Sequence, residues 1–418
     1  MKEKYTYIEL FAGAGGFFEG FRRAGFHQVA LVEMDKNTAF TLKTRLGYYY
    51  LKETNRSSIY FDYIKGNIQR DEYYDHIPQI ILSSVINEEI REDNIEYISR
   101  RIKKQMLKQG IKKIDVMAGG PPCQAYSLVG RARDTYGMNN DRRNYLYRLY
   151  VKILKKFSPE MFIFENVPGL ISAGNGRLWK DIRSYFLASG YEIDFRLLNS
   201  YDFGVLQKRK RIILMGWKKG YDLNFPDFKK DKNVEKYRII DLFYDLSFPA
   251  YREKLYTGNY TSDTSGYLSE YGIRTHEDKL TLHVTRYINE RDRKIYKFYI
   301  DAWFKEKRRP AYDELPEYLK THKNRKIFKD RFKIIAPDLP YSHTIVAHLE
   351  KDGHYFIHYD INQLRSISVR EAARVQSFPD SYYFEGAMGS MFRQIGNAVP
   401  PLMAEKMAYE IKKMLEAI

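Results

Sequence analysis

Residues 5–35 read YTYIELFAGAGGFFEGFRRAGFHQVALVEMD, and the order of apolar runs and glycines in this stretch decides the fold. Tyr5 to Leu10 has the pattern of a buried strand. Gly13, Gly15 and Gly16 form a flexible turn, after which Phe17, Phe21 and Ala24 recur at helical spacing until Gly25 stops the helix. A second strand, Val29 to Val32, ends at Glu33, and Asp35 stands where an N-cap would open the next helix. Strand, helix and strand at this spacing make a βαβ unit. The unit predicts an α/β fold with a doubly wound, mostly parallel Rossmann-like sheet.

Farther along, Ile114 to Ala118, Met161 to Phe164 and Arg211 to Met215 are apolar runs bounded by Gly, Pro or charge, as buried parallel strands are. The charged stretch from Asp71 to Lys113 reads as a solvated helical insertion. Beyond Trp217 the chain turns aromatic and basic with weak periodicity to about Pro340, the mark of a second, smaller domain. Ser368 and Glu371 then form a capping box around Val369, Ala372 and Ala373, and a Gly/Pro turn over Gln394 to Pro401 leads into a final amphipathic helix. The expected organisation is a first domain over 1–216, a second over 217–365, a joining helix and loop over 366–393, and a C-terminal segment over 394–418.

Composition narrows the class of protein. The 418 residues are 44% hydrophobic, enough for sizeable cores, and no apolar run is long enough to span a bilayer, so a soluble, cytoplasmic protein is expected. The single cysteine, Cys123, excludes an intramolecular disulfide and any multi-cysteine metal site, and no metal is expected. A net charge of +17 favours a polyanionic partner, nucleic acid foremost, although a coding bias toward lysine gives the same sum. Charge selects a partner class, not a reaction.

Five constellations carry chemistry. The glycine turn from Glu9 to Phe17, with Glu33 closing the next strand, suits a nucleoside whose ribose hydroxyls a carboxylate can bind; it departs from the G-x-G-x-x-G spacing of dinucleotide sites. Gly119-Gly-Pro-Pro-Cys123 lies at the carboxyl end of a strand, where a deprotonated thiol can act as nucleophile, whereas a lone cysteine is more often a buried structural thiol. Glu165, directly after an apolar strand, either caps a neighbouring helix or handles a proton. Alternation in an extended chain sends Gln207, Arg209 and Arg211 to one face, able to hold a carbonyl or a phosphate, although such charge runs are usually solvated. Asn397 offers a donor and an acceptor beside Gly396.

Taken in order, ELFAGAGGF, GGPPCQAYS, ENVPG, QKRKR, SVREAARVQSFPD and QIGNAVPP resemble the motif series of the cytosine-5 DNA methyltransferases, most closely the bacterial restriction-modification type. The resemblance covers the chain outside 71–113 and 217–340. It implies a methyltransferase fold, a late target-recognition domain, a C-terminal segment that returns to the first domain, and S-adenosylmethionine as cofactor. Phe11, Gly13, Ala14, Gly16, Glu33, Pro122 and Asn397 would line the cofactor site, with Leu146 joining as the loop after Cys123 closes. Asn67 and Ile68 match the family's Gly-Asp-Ile after the third strand, with Asn in place of the usual Asp.

The resemblance also implies a mechanism. Cys123 adds to carbon 6 of a flipped-out cytosine, Glu165 holds ring nitrogen 3, Arg209 the carbonyl oxygen and Arg211 the Glu165 carboxylate. Duplex DNA is the implied partner, met by Ser127, Arg131 and Arg133 after Cys123 and by Arg308, Arg309 and Arg325 in the second domain. A restriction-modification setting brings a cognate endonuclease as a companion, and one motif set per chain suffices for a monomer. The alternatives are an RNA cytosine methyltransferase of the same fold, against which the long basic recognition region and the full QIGNAVPP motif speak, and a non-catalytic DNA-binding protein, against which the intact Cys123, Glu165, Arg209 and Arg211 speak. No Asp/Asn-Pro-Pro-Tyr/Phe motif of amino-group methyltransferases is present.

Overall fold

The computed structural model describes residues 5–122, 145–251, 256–320, 322 and 328–418. The opening βαβ unit is β1 (Thr6–Leu10), α1 (Gly16–Arg23) and β2 (His27–Glu33). Asp35 then caps α2 (Lys36–Glu53), its Oδ1 accepting the Thr38 N–H at 2.9 Å. The chain continues through α3 (Ser57–Lys65), β3 (Val85–Asn87), α4 (Ile95–Lys108), β4 (Val116–Gly119), α5 (Leu146–Phe157), β5 (Met161–Asn166), α6 (Arg177–Leu187), β6 (Tyr191–Asn199), β7 (Gln207–Lys208) and β8 (Lys210–Lys218). Seven of these strands form one sheet in the order β3-β2-β1-β4-β5-β8-β6. The strands β3 to β5 run parallel, and β8 runs antiparallel to both β5 and β6. The fold is thus the α/β, mostly parallel sheet expected of a methyltransferase.

Period-two alternation sends the strand residues to two faces. Ile8 and Leu10 pack with Ile98 of α4 and Tyr150 of α5, while Tyr7 packs with Phe21 of α1 and Met407 near the C-terminus. The stretch 71–113 departs from its reading as an insertion: β3 pairs with β2, and Ile95, Ile98 and Ile102 bury one stripe of α4 against the sheet. Its charges lie on the other stripe of an amphipathic helix that belongs to the winding.

Past β8 no described strand joins this sheet. A separate apolar cluster forms around Tyr296, Tyr299 and Trp303 of α7 (Glu290–Glu306), with Phe332, Ile334 and Ile357. The capping box opens α8 (Val369–Val375) as expected: the Glu371 N–H donates to Ser368 Oγ at 3.1 Å, and the Ser368 N–H donates to Glu371 Oε2 at 2.7 Å. The segment from Gln394 to Asn397 is the last turn of α9 (Met388–Asn397), so the non-helical turn shrinks to Ala398–Pro400 before α10 (Pro401–Glu416).

Helix α10 lies along α1, and glycine makes that approach possible. A Cβ on Gly16 would sit 1.9 Å from the Val399 carbonyl oxygen, and one on Gly20 2.4 Å from the Glu405 nitrogen. The end of the chain is thereby fixed beside the first turn of the fold. Among the described residues no helix is long and apolar enough to cross a membrane.

Candidate active site

The register of the parallel strands lines up their carboxyl ends: Glu33 of β2 beside Asn87 of β3, Leu10 of β1 beside Gly119 of β4, and Gly119 beside Phe164 of β5. In a doubly wound sheet a ligand binds in the crevice at this edge, where the strand order reverses between β1 and β4. Phe11 opens the crevice with φ 55°, an uncommon conformation for a residue with a Cβ and one that clusters at functional sites.

Glu33 organises one side of the crevice. Its Oε2 accepts the Gly13 N–H and its Oε1 the Asp35 N–H, both at 2.8 Å. Each oxygen keeps a lone pair for a further donor, as two vicinal hydroxyls would require. Burial raises the Glu33 carboxyl from its ordinary value against those two N–H groups, and burial together with the Glu33 charge pushes Glu9 well above the carboxylate range. The ideal Cβ position of Gly13 meets nothing within 4 Å, so space is open beside the carboxylate. A nucleoside fits this donor and acceptor set.

The sequence reading missed two residues here. Met34 is 60% exposed directly after Glu33, an apolar surface of the kind a purine covers. The Asn87 amide donates to the carbonyls of Glu33 and Met34 at 2.9 and 3.0 Å and fixes their turn. Asking which residues flank the strand-ending carboxylate would have found Met34.

Glu165, the penultimate residue of β5, forms an ion pair with Arg211 of β8, its Oε1 lying 2.7 Å from Nε and both side chains being 12% exposed. The next residue, Asn166, is buried and donates from Nδ2 to the Pro121 carbonyl at 3.3 Å. A Cβ on Gly120 would lie 2.7 Å from Glu165 Oε2, so the glycine admits the carboxylate against the approach to Cys123. Pro122, the last residue before the thiol, is exposed. Cys123, Ser127, Arg131, Arg133 and Arg325 lie outside the described residues.

Several expectations need correction. Arg209 is enclosed at 1% exposure, its Nη1 donating to the Ile345 carbonyl at 2.6 Å and its Nη2 to the Gly396 carbonyl at 3.0 Å. Pairing breaks between β7 and β8 at this residue, so alternation does not carry across it and Arg209 ties segments together instead of facing the crevice with Arg211. Gly66-Asn67-Ile68 follows helix α3, not a strand; Asn67 is exposed and donates to Asp62 at 3.1 Å, and the strand end beside Glu33 is Asn87. Ala14 faces the core, and its carbonyl accepts the Tyr382 hydroxyl at 2.5 Å. The Cβ side of Gly16 is pressed against Val399.

The remaining residues take these positions. Asn397 is exposed at the end of α9, just before the turn that Gly16 packs against, and Leu146 is half-buried at the start of α5. Arg308 is paired with Glu306 and Glu314. Arg309 donates to the Ile334 carbonyl at 3.0 Å and lies 5.4 Å from the Trp303 ring. Both arginines are therefore engaged within the second region.

Comparison with known proteins gives a consistent result. The profile of the C-5 cytosine-specific DNA methylase family matches residues 5–79 and 79–413. The Type II methyltransferase M.Bpa9945I of Bacillus paralicheniformis is 38% identical over 98% of each chain. The Type II methyltransferase M1.HphI of Haemophilus parahaemolyticus is 30% identical over 98% of this chain and 87% of its own. Among solved structures, a prophage-encoded DNA modification methyltransferase from E. coli superposes with a TM-score of 0.63 at 22% identity, over 99% of this chain and all of that one, a likeness of fold.

Proposed function

Because this chain belongs to the C-5 cytosine-specific DNA methylases and is a DNA cytosine-5 methyltransferase, we propose that it methylates a flipped-out cytosine in duplex DNA through a covalent Cys123 adduct, with S-adenosylmethionine as methyl donor. The observation that carries the proposal is the Glu165–Arg211 pair, set against the Gly120-Pro121-Pro122 approach to the cysteine by Asn166.

Carbon 5 of cytosine is too weakly nucleophilic to attack a methylsulfonium unaided. The Cys123 thiolate adds to carbon 6 while Glu165 delivers a proton to ring nitrogen 3, which leaves carbon 5 enamine-like. Arg211 holds the Glu165 carboxyl in place throughout, as a charge-assisted partner. S-adenosylmethionine, when bound, supplies the electrophilic methyl group to carbon 5. Water then takes the carbon 5 proton, its electron pair forms the double bond between carbons 5 and 6 as the thiolate leaves, and ring nitrogen 3 returns its proton to Glu165, which restores the aromatic ring. Glu33 would hold the ribose hydroxyls of the cofactor, with Met34 under the purine and Phe11, Gly13 and Asn397 around it.

A cytosine stacked in a duplex cannot reach these groups, so it must be rotated out at a cost of about a few kcal/mol. Target reading falls to 217–365, and the Type II relatives support a restriction-modification setting, in which the enzyme would act as a monomer beside a cognate endonuclease. The test is transfer of labelled methyl to duplex DNA and to transfer RNA by wild type and Cys123→Ser, with the product base identified by mass. Label on cytosine carbon 5 of DNA that vanishes in the variant is expected. Label on transfer RNA alone, or undiminished transfer by Cys123→Ser, would overturn the reading.

A further inference from the structure

Arg393 sits on α9, one turn before Asn397, and lies between two carboxylates from segments far apart in sequence. Its Nη1 donates to Glu350 Oε2 at 3.0 Å, and its Nη2 to Asp35 Oδ2 at 3.3 Å. Asp35 belongs to the turn after β2: its N–H binds Glu33 Oε1 at 2.8 Å, and its other oxygen caps α2. Glu350 ends the short 3-10 turn Ala347–Glu350, on the stretch that leads back from the second region. That turn is pinned independently, because Arg286 donates to the Leu349 and Glu350 carbonyls and lies 4.5 Å above the Phe392 ring, next to Arg393.

Neither contact follows from the chemistry of the reaction. No step of the mechanism uses Arg393, Asp35 or Glu350. Yet a short chain of bonds runs from the Glu33 carboxylate through the Asp35 turn and Arg393 to Glu350. Without the guanidinium, the two carboxylates it joins would repel each other across the same gap. The three side chains are 42%, 36% and 26% exposed, so the pairs are solvent-screened and each is individually weak.

We infer that Arg393 is a positioning residue that couples the cofactor side to the DNA-reading side: an occupied Glu33 site steadies the Asp35 turn, and through Arg393 this steadies the segment that carries Glu350. Cofactor product and DNA then bind cooperatively, each tightening the other by the same factor. The inference rests on the reading of Glu33 as a cofactor ligand.

The experiment titrates full-length protein with S-adenosylhomocysteine, by calorimetry, in the presence and absence of a duplex carrying the site mapped from methylated DNA. Wild type, Arg393→Gln, Arg393→Lys and Glu350→Gln are compared after thermal melts establish that each is folded. In wild type the duplex tightens S-adenosylhomocysteine binding, and in Arg393→Gln that factor falls by about threefold to tenfold. Glu350→Gln shows the same loss of coupling with unchanged S-adenosylhomocysteine affinity in the absence of DNA, and Arg393→Lys restores most of it. An unchanged coupling factor in Arg393→Gln overturns the inference, whether or not the separate affinities fall, as does a wild type without coupling. Absence of S-adenosylhomocysteine binding by the folded wild type would instead sink the cofactor reading itself, and the inference with it.

Discussion

In the proposed mechanism the chemistry turns on Glu165 and Arg211. With the pair 2.7 Å apart at the sheet edge, the carboxyl is oriented before substrate arrives. Glu165→Gln keeps the shape and removes the transferable proton. Its kcat is expected to fall by about 10²–10⁴-fold with DNA affinity retained, checked by single-turnover methyl transfer alongside a binding titration. Glu33, Glu165 and Arg211 were legible in the sequence because each is a charged residue at the boundary of an apolar strand, where α/β chemistry gathers. Arg209 was not, because its role depends on a break in strand pairing and on carbonyls at Ile345 and Gly396, both far away in sequence. Asn67 misled for a related reason: helices fill the chain between β2 and β3, so a motif expected after the third strand was placed ahead of it, whereas that strand ends at Asn87.

Among the elements, the first helix shows a glycine of the expected cofactor motif serving a packing purpose. Gly16 reads as a cofactor glycine, yet its lack of a Cβ admits the Val399 carbonyl and lets the C-terminal helix seat on α1. Gly16→Ala is expected to cost about 1–3 kcal/mol of stability by overpacking, seen as a lower melting temperature in the protein without ligand. An unchanged melt would mean that the helices part without penalty. The opening βαβ unit, the Asp35 cap and the Ser368–Glu371 box were legible because local chemistry fixes them. The strands β3 and β6 were not. One is three residues long, and the other alternates apolar and charged side chains at the sheet edge, so neither gives the continuous apolar run of a central strand.

At the scale of the whole molecule, buried histidines make stability depend on pH. Burial lowers His283 to about 4 and His358 to about 3, so both are neutral in the folded protein at pH 7. Their folded values lie below the unfolded value of about 6.5, so the unfolded chain binds more protons and stability is lost as pH falls from about 6.5 toward 4. Glu371 adds to the loss at lower pH: burial alone would raise it, but Arg365, bonded at 2.6 and 2.7 Å, holds it below the carboxylate range. Melting temperatures measured from pH 8 to pH 5 are expected to be level above about 7 and to drop below 6. A flat profile would contradict neutral burial. The organisation of the second region was only partly legible, since its aromatic core around Trp303 has no simple period and its arginines pair locally, as Arg308 does with Glu306 and Glu314. The measurement that bears most directly on the central claim is covalent trapping: duplex DNA copied with 5-fluorocytosine in place of cytosine, incubated with enzyme and S-adenosylmethionine, then digested for peptide mass spectrometry. Fluorine cannot leave carbon 5 as a proton does, so the account predicts a DNA-linked peptide containing Cys123 that is absent in Cys123→Ser. A stable methylated product with no linked peptide, or a link at any other residue, would contradict it.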